Sequence, residues 1–374
     1  MKKILHIPNY YKPHIGGIEQ TCHDIVEACV GKFEQKVICF SADKNTIVEM
    51  IDGVEVTKCG VWKKILSQSI SFSYKKKLKE IIKNFKPDII IFHYPNPFVA
   101  HYLKKHLKNK NIEFVLWYHA DIIKQKIIRK FFEGQTKKLL KRANKVACTS
   151  PIYRDTSKNL LKVPNKVTVI PSCINEERLV LSKEDEELAK TLKQKYLNKK
   201  LVFAFGRHVK YKGLTYLVEA SKYLDESYQI IIGGTGPLTN DLKQQAADDS
   251  KIEFIGRITD NELRAYLKIM DIYAFPSITK NEAFGLSLAE GMYFNHPAVT
   301  FTIEGSGVNY VSLNNVTGIE VENSNAKKFA EAINVLGSDS ILCKKMGDKA
   351  GQRVREMFLF EQFKLLVINL LEEK

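Results

Sequence analysis

The strongest constraint on the fold is a regular alternation of short apolar runs, rich in β-branched residues, with longer helical patterns. Ten such runs are predicted as buried strands: Lys3–Ile7, Lys36–Phe40, Asp88–Phe92, Phe114–Tyr118, Lys145–Thr149, Leu201–Phe205, Gln229–Ile232, Ile252–Ile255, Asp271–Phe275 and Ala298–Phe301. Helices are predicted between them, for example over Ile18–Val30 and Tyr74–Asn84. Continuous apolar strands separated by helices indicate parallel sheets covered on both faces. The predicted fold class is α/β, with two doubly wound, Rossmann-like parallel-sheet domains facing a central cleft.

The length and one charged segment indicate where the domains divide. A chain of 374 residues is long enough for about two domains of ordinary size. Ser182–Lys200 is highly charged and separates the two sets of predicted strands. We therefore predict an N-terminal domain over 1–175, a charged linker over 176–199 and a C-terminal domain over 200–353.

The basic excess of the chain is concentrated in one segment. There are 58 Lys and Arg against 42 Asp and Glu, a net charge of +16, and the segment Lys63–Lys145 alone carries this excess. Within it, Ile122–Lys141 resembles a basic amphipathic helix, which predicts contact of Lys124, Lys126, Arg129 and Lys130 with an anionic membrane surface. A set of solvated lysine-rich helix faces is the alternative. Nucleic acid is not an expected partner, because there is no helix-turn-helix, zinc or RNP signature.

Cysteine spacing and the N-terminus indicate a cytoplasmic protein. None of the seven cysteines forms a CxxC pair, so neither a zinc site nor a disulfide framework is indicated. The apolar run at the N-terminus is broken by His6, Pro8 and Asn9 before a signal sequence could form. No apolar stretch reaches the roughly 18 residues that a spanning helix needs.

Three glycine-containing loops follow predicted strands. Gly16-Gly17 begins a helix, where close backbone approach and free N–H groups favour an anion, although a plain turn fits equally well. Gly206-Arg207 and Lys212 follow Leu201–Phe205, and two cations at a strand end can clamp a diphosphate. Surface basic residues are the alternative for that pair. The third loop, 233–237, lacks GxGxxG spacing and does not support a nicotinamide site.

The most specific motif contains two glutamates separated by seven residues, Glu282 and Glu290. Glu282 is predicted in a loop, and a helix is predicted to begin at Gly285 or Leu286. The first amides of that helix lack partners within it and can bind an anion. Glu290, farther along the helix, can accept hydrogen bonds from hydroxyl groups beside that anion.

Together, these motifs resemble those of the family-four retaining glycosyltransferases, which have the GT-B architecture. Glu282 to Glu290, with Phe284-Gly285-Leu286 inside, is similar to the family's E-x7-E signature, and Gly206-Arg207 with Lys212 is similar to its phosphate clamp. Gly16-Gly17 is similar to its N-terminal glycine loop. The resemblance covers nearly the whole chain and is nearest to bacterial enzymes that build lipopolysaccharide, capsule or other surface glycans.

The resemblance implies roles for individual residues. Arg207, Lys212, Glu282 and His119 are implied as catalytic, with Arg207 and Lys212 on the donor diphosphate, Glu282 on the transferred sugar and His119 near that sugar. A buried structural histidine is the alternative for His119. The implied donor-binding residues are Gly16, Gly17, Gly206, Arg257, Phe284, Gly285, Leu286, Ser287 and Glu290.

Two departures from the family pattern stand out. Cys173 and Asn175 replace a glycine and an aspartate after the last strand of the N-terminal domain, and Gly291 replaces an alanine after the second glutamate. The resemblance also implies that 354–374 forms a C-terminal helix returning to the N-terminal domain. It assigns the acceptor to that domain and the nucleotide sugar to the C-terminal domain.

The function expected from the resemblance is retaining transfer of a hexosyl group from a nucleotide diphosphate sugar to a hydroxyl group. GDP-mannose is the preferred donor, with UDP-hexoses second, and the acceptor is a surface glycan linked to isoprenoid pyrophosphate. No cofactor and no metal are expected, since Arg207 and Lys212 supply positive charge. The protein is expected at the inner face of the cytoplasmic membrane. The alternatives are a phosphorylase or epimerase of the same architecture, and a non-catalytic nucleotide-binding or polyanion-binding protein.

Overall fold

The computed structural model describes residues 1–14, 16–65, 68–121 and 126–373, without the side chains of 65 and 126–131. The chain divides into two compact units, which we describe separately. The first unit contains Met1–Ser172 and Phe363–Lys374, and the second contains Cys173–Gln362. Among the described helices, none is both long enough and apolar enough to cross a membrane.

The first unit is built on an eight-stranded sheet in the order β10-β9-β8-β7-β1-β2-β4-β3. Its strands are β1 Lys3–Ile7, β2 Glu34–Phe40, β3 Ile47–Ile51, β4 Val54–Cys59, β7 Ile89–Tyr94, β8 Glu113–Tyr118, β9 Lys145–Cys148 and β10 Val167–Val169, with a separate hairpin of β5 Lys63–Ile65 and β6 Gln68–Ile70. Its helices are α1 Gly17–Ala28, α2 Tyr74–Phe85, α3 Pro97–His106, α4 Lys126–Arg142 and α5 Pro151–Thr156. All pairs in the large sheet are parallel except β3 with β4.

The centre of this sheet shows why the sequence folds in this way. Every residue of β7 is buried, as expected for a strand covered by helices on both faces. Helix α3 begins directly afterwards, because Asn96 accepts a hydrogen bond from the Val99 amide at 3.1 Å and Pro97 occupies the first helical position. The strand order reverses direction between β1 and β7, which places the loops after these strands at a topological switch point.

The second unit has a six-stranded, fully parallel sheet in the order β13-β12-β11-β14-β15-β16. Its strands are β11 Lys200–Phe205, β12 Tyr228–Gly233, β13 Ile252–Gly256, β14 Ile272–Phe275, β15 Ala298–Phe301 and β16 Gly318–Val321. Its helices are α6 Lys183–Lys195, α7 Leu214–Ala220, α8 Thr239–Gln245, α9 Asp260–Ile269, α10 Leu286–Tyr293, α11 Val308–Val311, α12 Ala326–Ser338 and α13 Ser340–Met357. The switch point of this sheet lies between β11 and β14.

The two doubly wound sheets confirm the predicted α/β class. Each of the ten predicted strands is present, with bounds shifted by at most two residues. The sequence analysis missed β3, β4, β5, β6, β10 and β16, which are edge strands, short strands or neighbours of an edge.

The segment expected as a linker, 176–199, lies inside the second unit and contains α6. Asp185 of α6 is buried and accepts hydrogen bonds from Arg264 of α9, with Nε to Oδ2 at 2.8 Å. The Arg264 guanidinium lowers the pKa of the Asp185 carboxyl. The charge of this segment therefore belongs to a capped, packed helix.

The end of the chain also differs in detail from the expected single helix over 354–374. Helix α13 continues to Met357, and a separate helix, α14, begins at Phe360 and ends at Glu372. From Phe363 onward the chain is part of the first unit, where Lys145 donates to the Leu370 carbonyl at 2.6 Å.

Candidate active site

The loops after β11 and β14 are neighbours because these two strands pair in the sheet. Lys212, in the first loop, forms an ion pair with the Glu282 carboxylate in the second. Ser277 donates to Glu282 Oε2 at 3.3 Å, and Lys212 Nζ lies 4.9 Å from the ring centroid of Phe275. Both charged side chains are mostly buried, at 16% and 13% exposure. The structure therefore brings together two of the predicted catalytic residues, which are 70 positions apart.

A glycine fixes the contact between these loops. Gly213 has a φ of +62°, and a Cβ there would lie 2.0 Å from the Pro276 carbonyl oxygen. The Ile278 amide donates to the Tyr211 carbonyl at 2.9 Å, directly beside that approach. No other residue type fits this position without moving the backbone. The glycine after Lys212 thus places the lysine against the second loop.

Gly206 and Arg207 begin the first loop at the end of β11. The Gly206 amide donates to the Gly233 carbonyl at 3.1 Å, which joins this loop to the turn after β12. Arg207 is exposed, and none of the described residues forms an ion pair with it. Arg257 is also exposed and follows β13 at the same edge of the sheet. Of the three cations predicted for this site, Lys212 is paired with a carboxylate, and Arg207 and Arg257 face solvent.

Helix α10 begins beside this ion pair. Gly285 is its N-cap and no side chain caps it, so the amides at Leu286 and Ser287 are available to an anion. The Gly285 carbonyl accepts from the Leu288 and Ala289 amides at 3.0 and 3.1 Å. The Phe284 side chain is buried, 5.3 Å from Phe358 between ring centroids, so it can offer a ligand only its backbone.

Glu290 is half-buried on α10, and its environment changes its chemistry. Burial raises the pKa of the Glu290 carboxyl to about 7, Asp260 also raises it, and Arg178 and Lys212 oppose this shift. At neutral pH this carboxyl is partly protonated. Hydroxyl groups that donate to it favour the ionised carboxylate, which is the stronger hydrogen-bond acceptor. This position therefore suits recognition of a polyhydroxyl group.

Gly291, where the family pattern has alanine, has a structural explanation. A Cβ at this position would lie 2.6 Å from the Tyr273 ring. Tyr273 is fully buried on β14. The aromatic ring therefore occupies the space of the missing methyl group, and α10 still begins where the sequence predicts.

In the first unit, Gly16 and Gly17 begin α1 as predicted. The Gly16 carbonyl accepts from the Gln20 amide at 2.8 Å. A side chain at Gly17 would meet nothing within 4 Å, so this glycine faces open space. Burial raises the pKa of Glu19, which lies against Gly16 in the same turn.

His119 lies at the end of β8 and belongs to a buried group of histidines. Its Nε2 lies 2.9 Å from Nδ1 of His93, and the two rings stack at 5.2 Å. Burial lowers the pKa of His119 to about 3 and that of His6 to about 4, and it also lowers the pKa of His93. His119 is therefore a neutral imidazole at physiological pH. Sequence reasoning assigned no role to His93, although the residue directly follows the predicted strand Asp88–Phe92.

Three of the four residues predicted to contact a membrane belong to α4. Lys124 lies outside the described residues. Lys126, Arg129 and Lys130 belong to α4, but their side chains lie outside the described part of the structure.

The two doubly wound sheets give the chain the fold of the GT-B glycosyltransferases. The structure resembles sucrose-phosphate synthase from Thermosynechococcus elongatus, with a TM-score of 0.81, 16% identity and coverage of 100% of this chain and 99% of that one. It also resembles HepE from Anabaena, solved with UDP and glucose, with a TM-score of 0.77, 16% identity and full coverage of both chains.

Sequence comparisons identify the family. Residues 15–178 match the description "Glycosyltransferase Family 4", and residues 185–353 match "Glycosyl transferases group 1". The first part of the chain thus matches the glycosyltransferase family 4 domain, and the second part matches the domain of glycosyl transferases group 1. The chain is 29% identical to the D-rhamnosyltransferase WbpZ of Pseudomonas aeruginosa, covering 95% of this chain and 92% of the relative. It is 27% identical to the O-antigen chain mannosyltransferase C of Escherichia coli, covering 100% of both chains.

Proposed function

We propose that this enzyme transfers a hexosyl group, with retention, from a nucleoside diphosphate sugar to a hydroxyl of a lipid-linked surface glycan. The observation that carries the proposal is the Lys212–Glu282 ion pair beside the free amides that begin α10. It joins a phosphate-binding cation, a sugar-binding carboxylate and a helix N-terminus in one small region of the second unit.

The donor diphosphate is the first group that this arrangement would bind. Arg207 is exposed and can contact a phosphate in a bidentate manner, while Lys212 supplies a point charge. The amides of Leu286 and Ser287 add oriented dipoles. These groups would stabilise the diphosphate most strongly as it departs with its extra negative charge, which is the electrostatic requirement of the transfer.

Sugar and nucleoside would be held by the two glutamates. Glu282 would accept hydroxyl hydrogen bonds from the transferred sugar, beside the backbone amides of Phe284 and Gly285. Glu290 would accept those of the ribose, and Arg257 would lie along the base. His119 of the first unit, a neutral imidazole because burial lowers its pKa, would offer a substrate hydroxyl a single hydrogen bond without a net charge. We propose that a donor phosphate oxygen takes the acceptor proton, on the face from which the diphosphate leaves.

The names of the relatives support a choice of donor and acceptor. One relative is a D-rhamnosyltransferase and another an O-antigen mannosyltransferase, so we propose GDP-mannose as donor, with UDP-hexoses second. We further propose that transfer needs no metal ion, because Arg207, Lys212 and the helix amides supply the positive charge that a metal would provide. The acceptor would be met by the strongly basic first unit at the membrane surface.

Donor binding can be tested by thermal shift with GDP, UDP, dTDP and their sugars, with and without magnesium. A ligand at about one hundred times its Kd stabilises the folded state by about 2.7 kcal/mol, which raises Tm by several degrees. We expect this rise with one base, its loss in Arg207→Ala, and its retention in Arg154→Ala, a partly exposed arginine of the first unit. No rise with any nucleotide would contradict the proposal.

The reaction itself is tested by the configuration of the product. Proton NMR of the product formed from an α-linked donor should show an α-linked sugar, and EDTA should leave the rate unchanged. An inverted product would contradict retention, and a rate that EDTA abolishes and magnesium restores would contradict metal independence. Phosphate-dependent release of sugar phosphate, or isomerisation without acceptor, would instead indicate a phosphorylase or an epimerase.

A further inference from the structure

The first unit contains a cavity that is lined by none of the predicted site residues whose side chains the structure describes. It has a volume of about 590 Å³ and lies between α3 and α4. We call it the α3–α4 groove. Its lining residues extend from Pro97 to Lys108 and from Phe132 to Arg142, which corresponds to three turns, or about 15 Å, of each helix.

Hydrogen bonds at both ends hold the groove open. Gln135 of α4 donates to the Pro97 carbonyl at 3.0 Å, at the start of α3. Arg142 donates through Nε to the Leu107 carbonyl at 2.6 Å, at the end of α3. The two helices are therefore tied at both ends of the cavity, and the space between them is a fixed feature of their packing.

The floor of the groove is apolar. Pro97, Ala100, Leu107 and Leu139 are buried there, and the half-buried Phe132 adds an aromatic wall. A concave apolar surface of this size is the form that binding sites for small molecules take. Its volume suits a single hydrocarbon chain better than the two chains of a bilayer phospholipid.

The rim of the groove is cationic. Lys104, Lys108 and Lys138 line it and are exposed, and within the described part of the chain none of the three forms an ion pair. None of the described lining residues is acidic. Arg142 is not available to a ligand, because its guanidinium donates to the carbonyls of Leu107 and Ile112. Three unpaired lysines around an apolar slot match a ligand with an anionic head and an apolar tail.

We propose that the α3–α4 groove binds a single-chain lipid phosphate or diphosphate, with the chain between the helices and the phosphates on Lys104, Lys108 and Lys138. We identify this ligand as the lipid anchor of the glycan acceptor, and that identification rests on the proposed function. The groove would hold the lipid part of the acceptor, while the sugar that receives the hexosyl group lies outside it.

Binding is tested by isothermal titration of the full chain with three probes. Farnesyl diphosphate has both chain and charge, farnesol has only the chain, and inorganic diphosphate has only the charge. We expect one farnesyl diphosphate per chain, with each partial probe at least tenfold weaker. Removing one isoprene unit, as in geranyl diphosphate, should weaken binding by about a hundredfold, since the lost chain buries several methylene groups.

Two variants locate the site. Lys104→Glu/Lys138→Glu should weaken farnesyl diphosphate binding at least tenfold, and exposed positions allow this change without unfolding. The matched control is Lys75→Glu/Lys76→Glu, which removes the same charge from exposed lysines of α2 in the same unit. Ala100→Phe, which fills the floor, should also weaken binding, and its circular dichroism and Tm report whether the fold survives.

The possible outcomes separate this inference from its rivals. Equal losses in the groove variant and the α2 variant would mean diffuse charge attraction and would overturn the proposal. Binding to phosphatidylglycerol vesicles, with no affinity for farnesyl diphosphate, would make the groove a bilayer contact and would also overturn it. Farnesyl diphosphate binding without any nucleotide-induced rise in Tm would leave the groove established and the proposed function refuted.

Transfer assays test the link to the acceptor. The groove variant should keep its nucleotide-induced rise in Tm and its rate with a lipid-free glycan acceptor. Its KM for the same glycan on a farnesyl diphosphate anchor should rise at least tenfold. An unchanged KM would show that the groove does not hold the anchor.

Discussion

The switch points of the two sheets have the same topology but opposite chemistry. In the second unit, the loops at this point carry an ion pair, Lys212 with Glu282, and the helix that follows, α10, carries Glu290, whose pKa is about 7. In the first unit, the same region contains His6 and His93, which are fully buried and whose pKa values are lowered by burial. Exposed lysines of the first unit lie instead on helices such as α2 and α3, for example Lys75, Lys76 and Lys104.

This difference shows how one fold supports two kinds of recognition. A site for a diphosphate needs fixed charges that are partly protected from water. Neutral imidazoles offer directed hydrogen bonds without a net charge. The following predictions test whether this division between the units holds, and they run from the largest expected effect to the smallest.

Loss of Lys212 should have the largest effect. Lys212→Ala removes a phosphate-binding cation and leaves Glu282 without its partner, so we expect kcat/KM to fall by about 10²–10³. Steady-state kinetics with the donor measure this. The control is Lys210→Ala, an exposed lysine of the same 3₁₀ turn, which should change the value less than about threefold. A comparable loss in the control would assign the effect to the turn rather than to the ion pair.

A methyl group added at a glycine should destabilise the protein in the second unit, at Gly291, but not in the first unit, at Gly17. Gly291→Ala forces a Cβ against the buried Tyr273 ring and should lower the free energy of unfolding by about 1–3 kcal/mol. Gly17→Ala faces open space and should change it by less than about 0.5 kcal/mol. Urea denaturation measures both. If the Tyr273 ring is the cause, Gly291→Ala should lower the free energy of unfolding less in a Tyr273→Leu background than in the parent. Equal losses in the two backgrounds would count against this contact.

Because the pKa of Glu290 is raised to about 7, we expect donor binding to depend on pH. Its folded pKa of about 7 means that about a tenth of the carboxyl is ionised at pH 6 and most of it at pH 8. Nucleotide affinity should therefore rise by up to about tenfold over this range, because the ribose hydroxyls favour the carboxylate. Titration calorimetry at each pH measures it, and Glu290→Gln should abolish the dependence.

The raised pKa of Glu290 also makes the stability of the protein depend on pH. The folded pKa lies above the ordinary value, so the folded state binds more protons than the unfolded state between about pH 4.5 and 7. The contribution of Glu290 to stability is thus lost as pH rises through 7. Glu290→Gln should be more stable than the parent at pH 8 by about 1–3 kcal/mol and nearly equal to it at pH 4.5. Equal stability of the two proteins at pH 8 would contradict the shift.

The smallest expected effect concerns the histidines of the first unit. His119, with a pKa of about 3, should not titrate between pH 5.5 and 8.5. NMR of the imidazole protons should show constant chemical shifts for this residue over that pH range. A His119 transition near pH 6.5 would place charge beside His93 at the switch point of the first sheet and would end the contrast between the units.

Several features could be read directly from local sequence. The buried strands are continuous apolar runs, and Asn96-Pro97 before α3 is a recognisable helix start. The missed pair β3–β4 also had a local signal, since Asp52-Gly53 between two alternating runs is a typical hairpin turn. The charged segment 182–200 was misleading, because charge on a solvent-facing helix and charge in a linker look alike along the chain.

The sequence by itself determined the residue types of the candidate site and the α/β alternation that places them at strand ends, because periodicity and turn chemistry act over a few neighbouring residues. Tertiary structure alone decided which of these residues meet. Lys212 contacts Glu282 because β11 pairs with β14, and His93 reaches His119 because β7 pairs with β8. It also decided the pKa of Glu290 and the existence of the α3–α4 groove, since desolvation and cavities depend on distant segments packing together.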